Sequence, residues 1–429
     1  MRINGGVKSL ALSLLVLSMA LVNLQPAQAA DAFLWTNPSS ANSNGTRHAA
    51  ISADGSVILV GKNGTLAASG VYLSTNGGAT FNRISGITAA SYTVAVSADG
   101  TKMFAVALTS NNLYYSTDSG VTWALKTGAV STTGNYATCM SGDGSVWMSG
   151  GSTGVYVSTN FGIDWTADSN FASASWWSCW MNTTGSIRYV LPWNAALKIS
   201  SNSGSTWTTS GTVVYDAYCL TASSDGTKVF IGSRNGYNLY KSTNSGSSFT
   251  LLKYFGNTVV SCAASADGNT IIAAVSSKYL QLSTNGGNTW TDEVGSTMNT
   301  WNTVVMNSDA TKAFATTIDA GASYLGSIPQ PLSFSLSSGR ADLMTYRSSN
   351  TVTTTSNYAG KVTFYANGKK IGGCISVPTN GSLVATCNYK PTIHGAVTIT
   401  AKFVPADSYF SAISQELFRT RVSSRTNNR

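Results

Sequence analysis

Fourteen carboxylates lie between residues 31 and 330. Two of them held about 6.5–9.5 Å apart would suffice to hydrolyse a glycosidic bond with inversion. Six are spent on a recurring Asp-Gly-type position (Asp54, Asp99, Asp143, Asp225, Asp267 and Asp309), and Asp118 and Asp164 sit in a second recurring motif. That leaves Asp31, Asp168, Asp216, Asp292, Glu293 and Asp319. Asp168 and Asp216 fall in equivalent loops of neighbouring repeats and are the only weak catalytic candidates; plain surface solvation is the competing and weightier reading. With only two histidines, neither a His-rich metal site nor a Ser-His-Asp triad is expected. No phosphate-cradling Gly-rich motif follows a strand, so no nucleotide, cofactor or metal is expected.

A second set of residues suits binding better than bond breaking. Arg47, Tyr92, Tyr136, Trp177, Tyr218, Val260 and Asn302 each lie five residues before the Ser or Asn that opens successive Asp-Gly-type markers. Trp176 and Trp301 sit beside this register, and Lys62, Trp193 and Arg234 fall in loops expected on the same face. Flat rings with scattered amides and cations suit a sugar or a peptide. The ligand-binding candidates are Arg47, Tyr92, Tyr136, Trp177, Trp193, Tyr218, Arg234 and Trp301. Rings that merely plug a channel and pack between repeats are the alternative.

The elements that must position these residues repeat. Six segments read Ser-x-Asp/Asn-x-Gly-x-polar-Trp/Phe, beginning at Ser74, Ser116, Ser158, Ser200, Ser242 and Ser283, spaced 42, 42, 42, 42 and 41 residues apart. Self-similarity at that period marks propellers and solenoids. The Asp-Gly-type marker recurs seven times, with Thr184-Gly185 in the fourth copy and Asp309-Ala310 in the last. Asp-Gly between short β-rich runs such as Tyr92–Ser97 and Met103–Leu108 is a hairpin signal. Each unit is therefore four strands, a to d, with the marker between a and b and the longer motif between c and d: one propeller blade. Seven markers against six longer motifs leave the last blade without a d strand. Phe33-Leu34-Trp35-Thr36 resembles the residues that follow the other motifs and is expected to supply it, closing seven blades; six is the alternative.

The longer motif resembles the Asp box, or BNR repeat, of sialidases, xyloglucanase-type glycoside hydrolases, sortilin-type receptors and photosystem II assembly factors. The resemblance implies that these positions are structural, the Asp or Asn tying the turn backbone. Only Asp118 is acidic among them; Asn76, Asn160, Asn202, Asn244 and Asn285 fill the others, which an amide cap tolerates and a catalytic carboxylate would not. A sialidase of this kind needs three arginines on a carboxylate and a Tyr–Glu pair. Here the propeller has only Arg47, Arg83, Arg188 and Arg234, and its single Glu is Glu293. The expectation is a non-catalytic binding propeller recognising a glycan or protein. A glycoside hydrolase on extracellular polysaccharide and an assembly factor for a membrane complex are the alternatives.

Ile328-Pro329-Gln330-Pro331 breaks the repeat and places a linker at 329–331 after a propeller spanning 31–328. Residues 332–420 alternate polar and apolar in short runs, as an immunoglobulin-like sandwich does. The stretch from Val362 to Phe410 resembles bacterial Ig-like repeats, which implies a spacer or adhesion module. Asn380-Gly381 is read as a two-residue hairpin loop that places Cys374 opposite Cys387, within disulfide reach. Cys139, Cys179, Cys219 and Cys262 fall one per blade on a strands; bridging of adjacent blades and free buried thiols are both open. Residues 421–429 read as a basic disordered tail.

Residues 31–330 carry a net charge of −1 and residues 331–429 one of +8. Attraction to an anionic cell-surface polymer therefore belongs to the C-terminal domain, and the neutral propeller argues against a nucleic-acid groove. Arg2, Lys8, the apolar run Ser9–Leu24 and Ala27-Gln28-Ala29 read as a cleavable signal peptide over 1–30. A secreted or cell-surface, monomeric protein is expected.

Overall fold

The computed structural model describes residues 33–38, 46–62, 69–87, 92–107, 112–128, 130, 137–171, 174–318, 322–327, 334–338, 343–356, 359–405 and 413–423. The expected signal peptide, the linker and Tyr136 lie outside them. Seven four-stranded antiparallel sheets form the first part of the chain. Their a strands are Thr46–Ile51, Tyr92–Val96, Ala137–Met140, Trp176–Met181, Ala217–Ala222, Val259–Ala264 and Trp301–Met306. Each a strand touches the next, and the seventh touches the first, so the sheets form a closed seven-bladed propeller. Among the described residues no helix is long and apolar enough to cross a membrane.

The blades follow from local chemistry. Six of the seven b strands, such as Met103–Ala107 and Ile271–Val275, are buried at every residue, and the seventh at all but Lys312, because neighbouring blades cover both of their faces. In each Asp-Gly turn a carboxylate takes the place of a backbone acceptor. Asp99 Oδ1 accepts from Ser97 Oγ and, at 3.0 Å, from the Thr101 N–H. These turns also bond to one another: Ala53 N–H donates to Ala98 O, Ala98 N–H to Gly142 O, and Ser308 N–H to Ala53 O. Such bonds span six of the seven junctions, all but that between the fourth and fifth blades. There, Tyr189 Oη donates to Gly226 O at 2.6 Å instead.

The six c–d turns share one geometry. In the second blade Asp118 accepts from Ser116 Oγ (2.7 Å) and the Thr122 N–H (2.9 Å), while Gly120 N–H donates to Ser116 Oγ. Ser119 and Gly120 are both left-handed, at φ 63° and 83°, which is why a glycine holds the second position. Asn76 makes the same bond to the Thr80 N–H at 3.0 Å, so the amide substitutes without loss.

The seventh blade is closed by the N-terminus. Leu34–Thr36 pairs antiparallel with Ser323–Ser327, setting Trp35 opposite Gly326. A Cβ at Gly326 would come within 2.9 Å of the Trp35 ring, so only glycine lets that indole lie flat on the strand.

The rest of the chain is a two-sheet β-sandwich. Phe334–Ser338, Asn350–Ser356 and Val384–Tyr389 form one sheet. Leu343–Thr345, Ile413–Ser423, Gly395–Pro405 and Gly360–Ala366 form the other, with the two-residue strands Lys369–Lys370 and Val377–Pro378 both pairing with Gly360–Ala366. Val352, Val362, Phe364, Val397, Ile399 and Phe403 fill the space between. The last strand runs to Ser423 with Val422 buried, so the ordered domain extends past residue 420, where a disordered tail was expected.

Cys374 and Cys387 are bonded, but across the two sheets rather than across a hairpin. Val377–Pro378 pairs with Lys361 and Val362, and Val384–Tyr389 pairs with Asn350–Thr355. The expected two-residue loop fails because the Asn380 side chain accepts from the Ser382 and Val384 N–H groups, fixing Asn380 at the start of the turn. Asn380 N–H then donates to Val384 O, a three-residue loop whose left-handed position is Leu383 at φ 60°. Both sulfurs point into the core, where burial brings them together.

Candidate functional site

Five a strands begin with a β-bulge. Trp176 pairs with Pro192 and Ser178 with Leu191, so Trp177 is the extra residue of the bulge between them. The same shift leaves out Arg47, Tyr218, Val260 and Asn302 in their blades. These are five of the seven register positions picked from the sequence. A bulge re-aims the extra side chain. Trp177, Tyr218, Val260 and Asn302 accordingly line a cavity of about 270 Å³ at one mouth of the central channel, with His48, Thr138 and Ser261. Tyr92 pairs regularly with Ala107; its side chain and that of Arg47 lie outside the described residues.

The same bulge corrects one assignment. Trp301 lies beside the unpaired Asn302, is 0% exposed, and donates its indole N–H to Lys278 O at 2.8 Å. It packs edge-on against Tyr324 between the sixth and seventh blades and does not line the channel-mouth cavity. Trp176, beside Trp177, is buried in the same way. Inserting one residue turns the neighbouring side chain inward, because successive residues of a strand face opposite ways.

Four of the remaining candidates converge. Trp177 lies 4.8 Å from Trp193 and 5.0 Å from Tyr218, ring centroid to ring centroid. The Arg234 guanidinium stands 5.9 Å from the Tyr218 ring, within cation–π range, and is exposed. These residues come from the a strands and b–c loops of the fourth and fifth blades. Trp193 N–H donates to Ser175 O, which seats its loop.

Asp216 holds this cluster together. It is left-handed at φ 51°. Its N–H donates to Asn194 Oδ1 (2.6 Å), its carbonyl accepts from Arg234 N–H (2.8 Å), and its carboxylate accepts from Asn235 Nδ2 (3.0 Å). One residue thus ties the loops carrying Trp193 and Arg234 to the strand carrying Tyr218. Asp168 is engaged within its own turn, accepting from Asn170 N–H and Nδ2 at 3.0 and 2.7 Å. Of the propeller arginines, Arg83 donates to Ser69 O and the buried Arg188 to Gly185 O, each inside its own blade.

Disulfides brace both sides of the cluster. Cys139–Cys179 joins the third and fourth blades and Cys219–Cys262 the fifth and sixth. Cys219 follows Tyr218 directly and lines the cavity with Cys262. Gly232 makes room for this bridge, since a Cβ there would meet Cys219 Sγ at 2.6 Å. The bulges and the Asp216 knot left no signature in the sequence beyond the residue types themselves, whereas one cysteine per blade already allowed bridges between adjacent blades.

No family model and no curated protein matches this chain. Solved structures do match in fold. A structure of YCF48 bound to a D1 peptide is similar with a TM-score of 0.54 at 12% identity, covering 70% of this chain and 98% of that one. The GH74 xyloglucanase of Xanthomonas campestris is similar with a TM-score of 0.53 at 10% identity, covering 86% of this chain. This chain spans only 59% of the length of that enzyme.

Proposed function

We propose that this is an exported, non-catalytic binding protein whose propeller holds a glycan or protein ligand at the aromatic mouth of its central channel. Residues 1–30 are its export signal, and the basic sandwich beyond the 329–331 linker is a spacer or adhesion module for an anionic cell-surface polymer. The observation that carries the reading is the cluster of Trp177, Trp193 and Tyr218 with Arg234 above it. Rings in mutual contact with an exposed guanidinium give an extended ligand stacking faces plus one polar anchor. The two carboxylates weighed for catalysis are both engaged, Asp216 accepting from Asn235 and Asp168 from Asn170, which supports binding over hydrolysis. Three interblade or intersheet disulfides support an oxidising location. Among propellers of similar fold, one is solved with a peptide and another is named for a polysaccharide substrate.

The test is a glycan array and a peptide array probed with wild type and Trp177→Ala. A ligand that wild type retains and Trp177→Ala loses, at unchanged melting temperature, supports the reading. Sugar release from polysaccharide, abolished by Asp168→Asn or Asp216→Asn, would replace it with a hydrolase.

A further inference from the structure

We infer that the outward face of the six-stranded sheet of the sandwich binds an anionic polysaccharide. The inference deepens the adhesion role proposed above and rests on that part of it, not on the propeller site.

Alternation fixes which residues share this face. Val362, Phe364, Ile399, Ala401 and Phe403 are buried between the sheets. The residues between them therefore point outward. On Gly360–Ala366 these are Lys361, Thr363 and Tyr365, and the register sets them opposite Val404, Lys402 and Thr400. Lys370 lies opposite Tyr365 on the other side. Lys361, Lys370 and Lys402 are exposed, and Tyr365 is half-buried among them. Lys402 and Lys361 are diagonal neighbours on adjacent strands, a separation of about 7–8 Å.

Among the described residues these ammonium groups make no ion pair. Both ion pairs among the described residues, Lys102–Asp99 and Lys126–Asp164, lie in the propeller. Residues 331–429 contain three acids against 11 Lys and Arg. The register sets Glu416 opposite Thr400, and Arg419 and Arg421 opposite Thr398 and Ala396. Like charges fixed this close repel one another, so a polyanion laid across the face relieves the repulsion while its own counterions leave. The Tyr365 ring amid the lysines adds a flat surface on which the apolar side of a sugar ring rests. Charge plus a stacking ring on an extended sheet selects a charged sugar polymer.

The test is retention of the full-length protein on immobilised polygalacturonate and dextran sulfate, with uncharged dextran as control. Wild type should bind one or both polyanions and not dextran, with affinity falling as salt rises. Lys361→Gln/Lys370→Gln/Lys402→Gln should weaken binding about tenfold, since each exposed charge contact is modest. The corresponding Lys→Arg triple should keep binding, and equal melting temperatures show that all variants fold. Trp177→Ala should leave polyanion binding intact, which separates failure here from failure at the propeller. Equal binding by the Gln triple, or equal binding to dextran, overturns the inference. Tighter binding to duplex DNA than to either polysaccharide overturns the assignment of the partner.

Discussion

The indole N–H of Trp35 donates to Glu293 Oε2 at 3.0 Å, joining residues 258 positions apart in the chain. The same oxygen accepts from the Phe33 backbone N–H at 2.9 Å. Glu293 ends the d strand of the sixth blade, and Phe33 and Trp35 belong to the segment that completes the seventh. The single Glu of the propeller is therefore a latch on the ring closure, 2% exposed and receiving two donors with no cation in an ion pair.

Removing the latch should loosen the ring. Glu293→Ala leaves one buried and one partly buried donor without their acceptor and should cost about 2–4 kcal/mol in chemical denaturation. Deleting residues 33–36 exposes the edge of Ser323–Ser327 and should lower the melting temperature further. Unchanged stability in both variants would show that the N-terminal strand does not close the ring.

The latch should also make stability depend on pH. Burial raises the Glu293 carboxyl above its ordinary value, against the opposing pull of the Trp35 and Phe33 donors. A group raised in the folded state contributes fully below its unfolded pKa, and the contribution is lost as pH climbs through the folded value. Unfolding free energy should thus fall as pH rises above the ordinary glutamate range. Glu293→Gln, which keeps an acceptor without the charge, should flatten that stretch of the curve.

Acid should act through other carboxylates with the opposite sign. Burial pushes Asp99 up, but Ser97, Thr101 and Lys102 outweigh it and hold the group at about 2. Thr122 and then Ser116 hold Asp118 at about 2. Their contributions are present above the unfolded value of 3.8 and disappear as pH drops toward 2. A denaturation series from pH 5 to pH 2 should show stability falling in that window. Asp118→Asn, which copies the other five turns, should blunt the fall.

Trp301, just before one bulge, and Trp177, the extra residue of another, should separate folding from binding. Trp301→Ala empties a fully buried site and should cost about 3–5 kcal/mol. Trp177→Ala should cost well under that and remove the stacking face beside Trp193 and Tyr218. Thermal melts of the two variants side by side decide which ring is core.

The disulfides make a count and a magnitude. Thiol titration of the denatured, unreduced protein should find no free sulfhydryl. Cys139–Cys179 and Cys219–Cys262 span 40 and 43 residues, and each should stabilise the ring by about 4 kcal/mol on the loop-entropy estimate. Peptide mapping should recover these pairs and Cys374–Cys387, and no other.

The sequence alone determined the propeller, and it favoured seven blades over six with Phe33–Thr36 as the closing strand. Those features rest on local chemistry: a turn that closes on its own Ser, Asp or Asn repeats wherever the motif repeats, and a missing d strand must come from elsewhere. It also placed Trp177, Tyr218, Trp193 and Arg234 on one face, because blades repeat the same register. It could not say that Trp177 rather than Trp176 enters the channel, or that Trp301 does not. A one-residue bulge decides that, and the bulge answers to packing between blades. The same limit set the Cys374–Cys387 bridge across sheets instead of a hairpin. Asn380 chose its turn position by which N–H groups its side chain could reach, and strand partners 30 residues away then fixed the rest. Pairings local in sequence were legible; those settled by competition between distant surfaces were decided only in three dimensions.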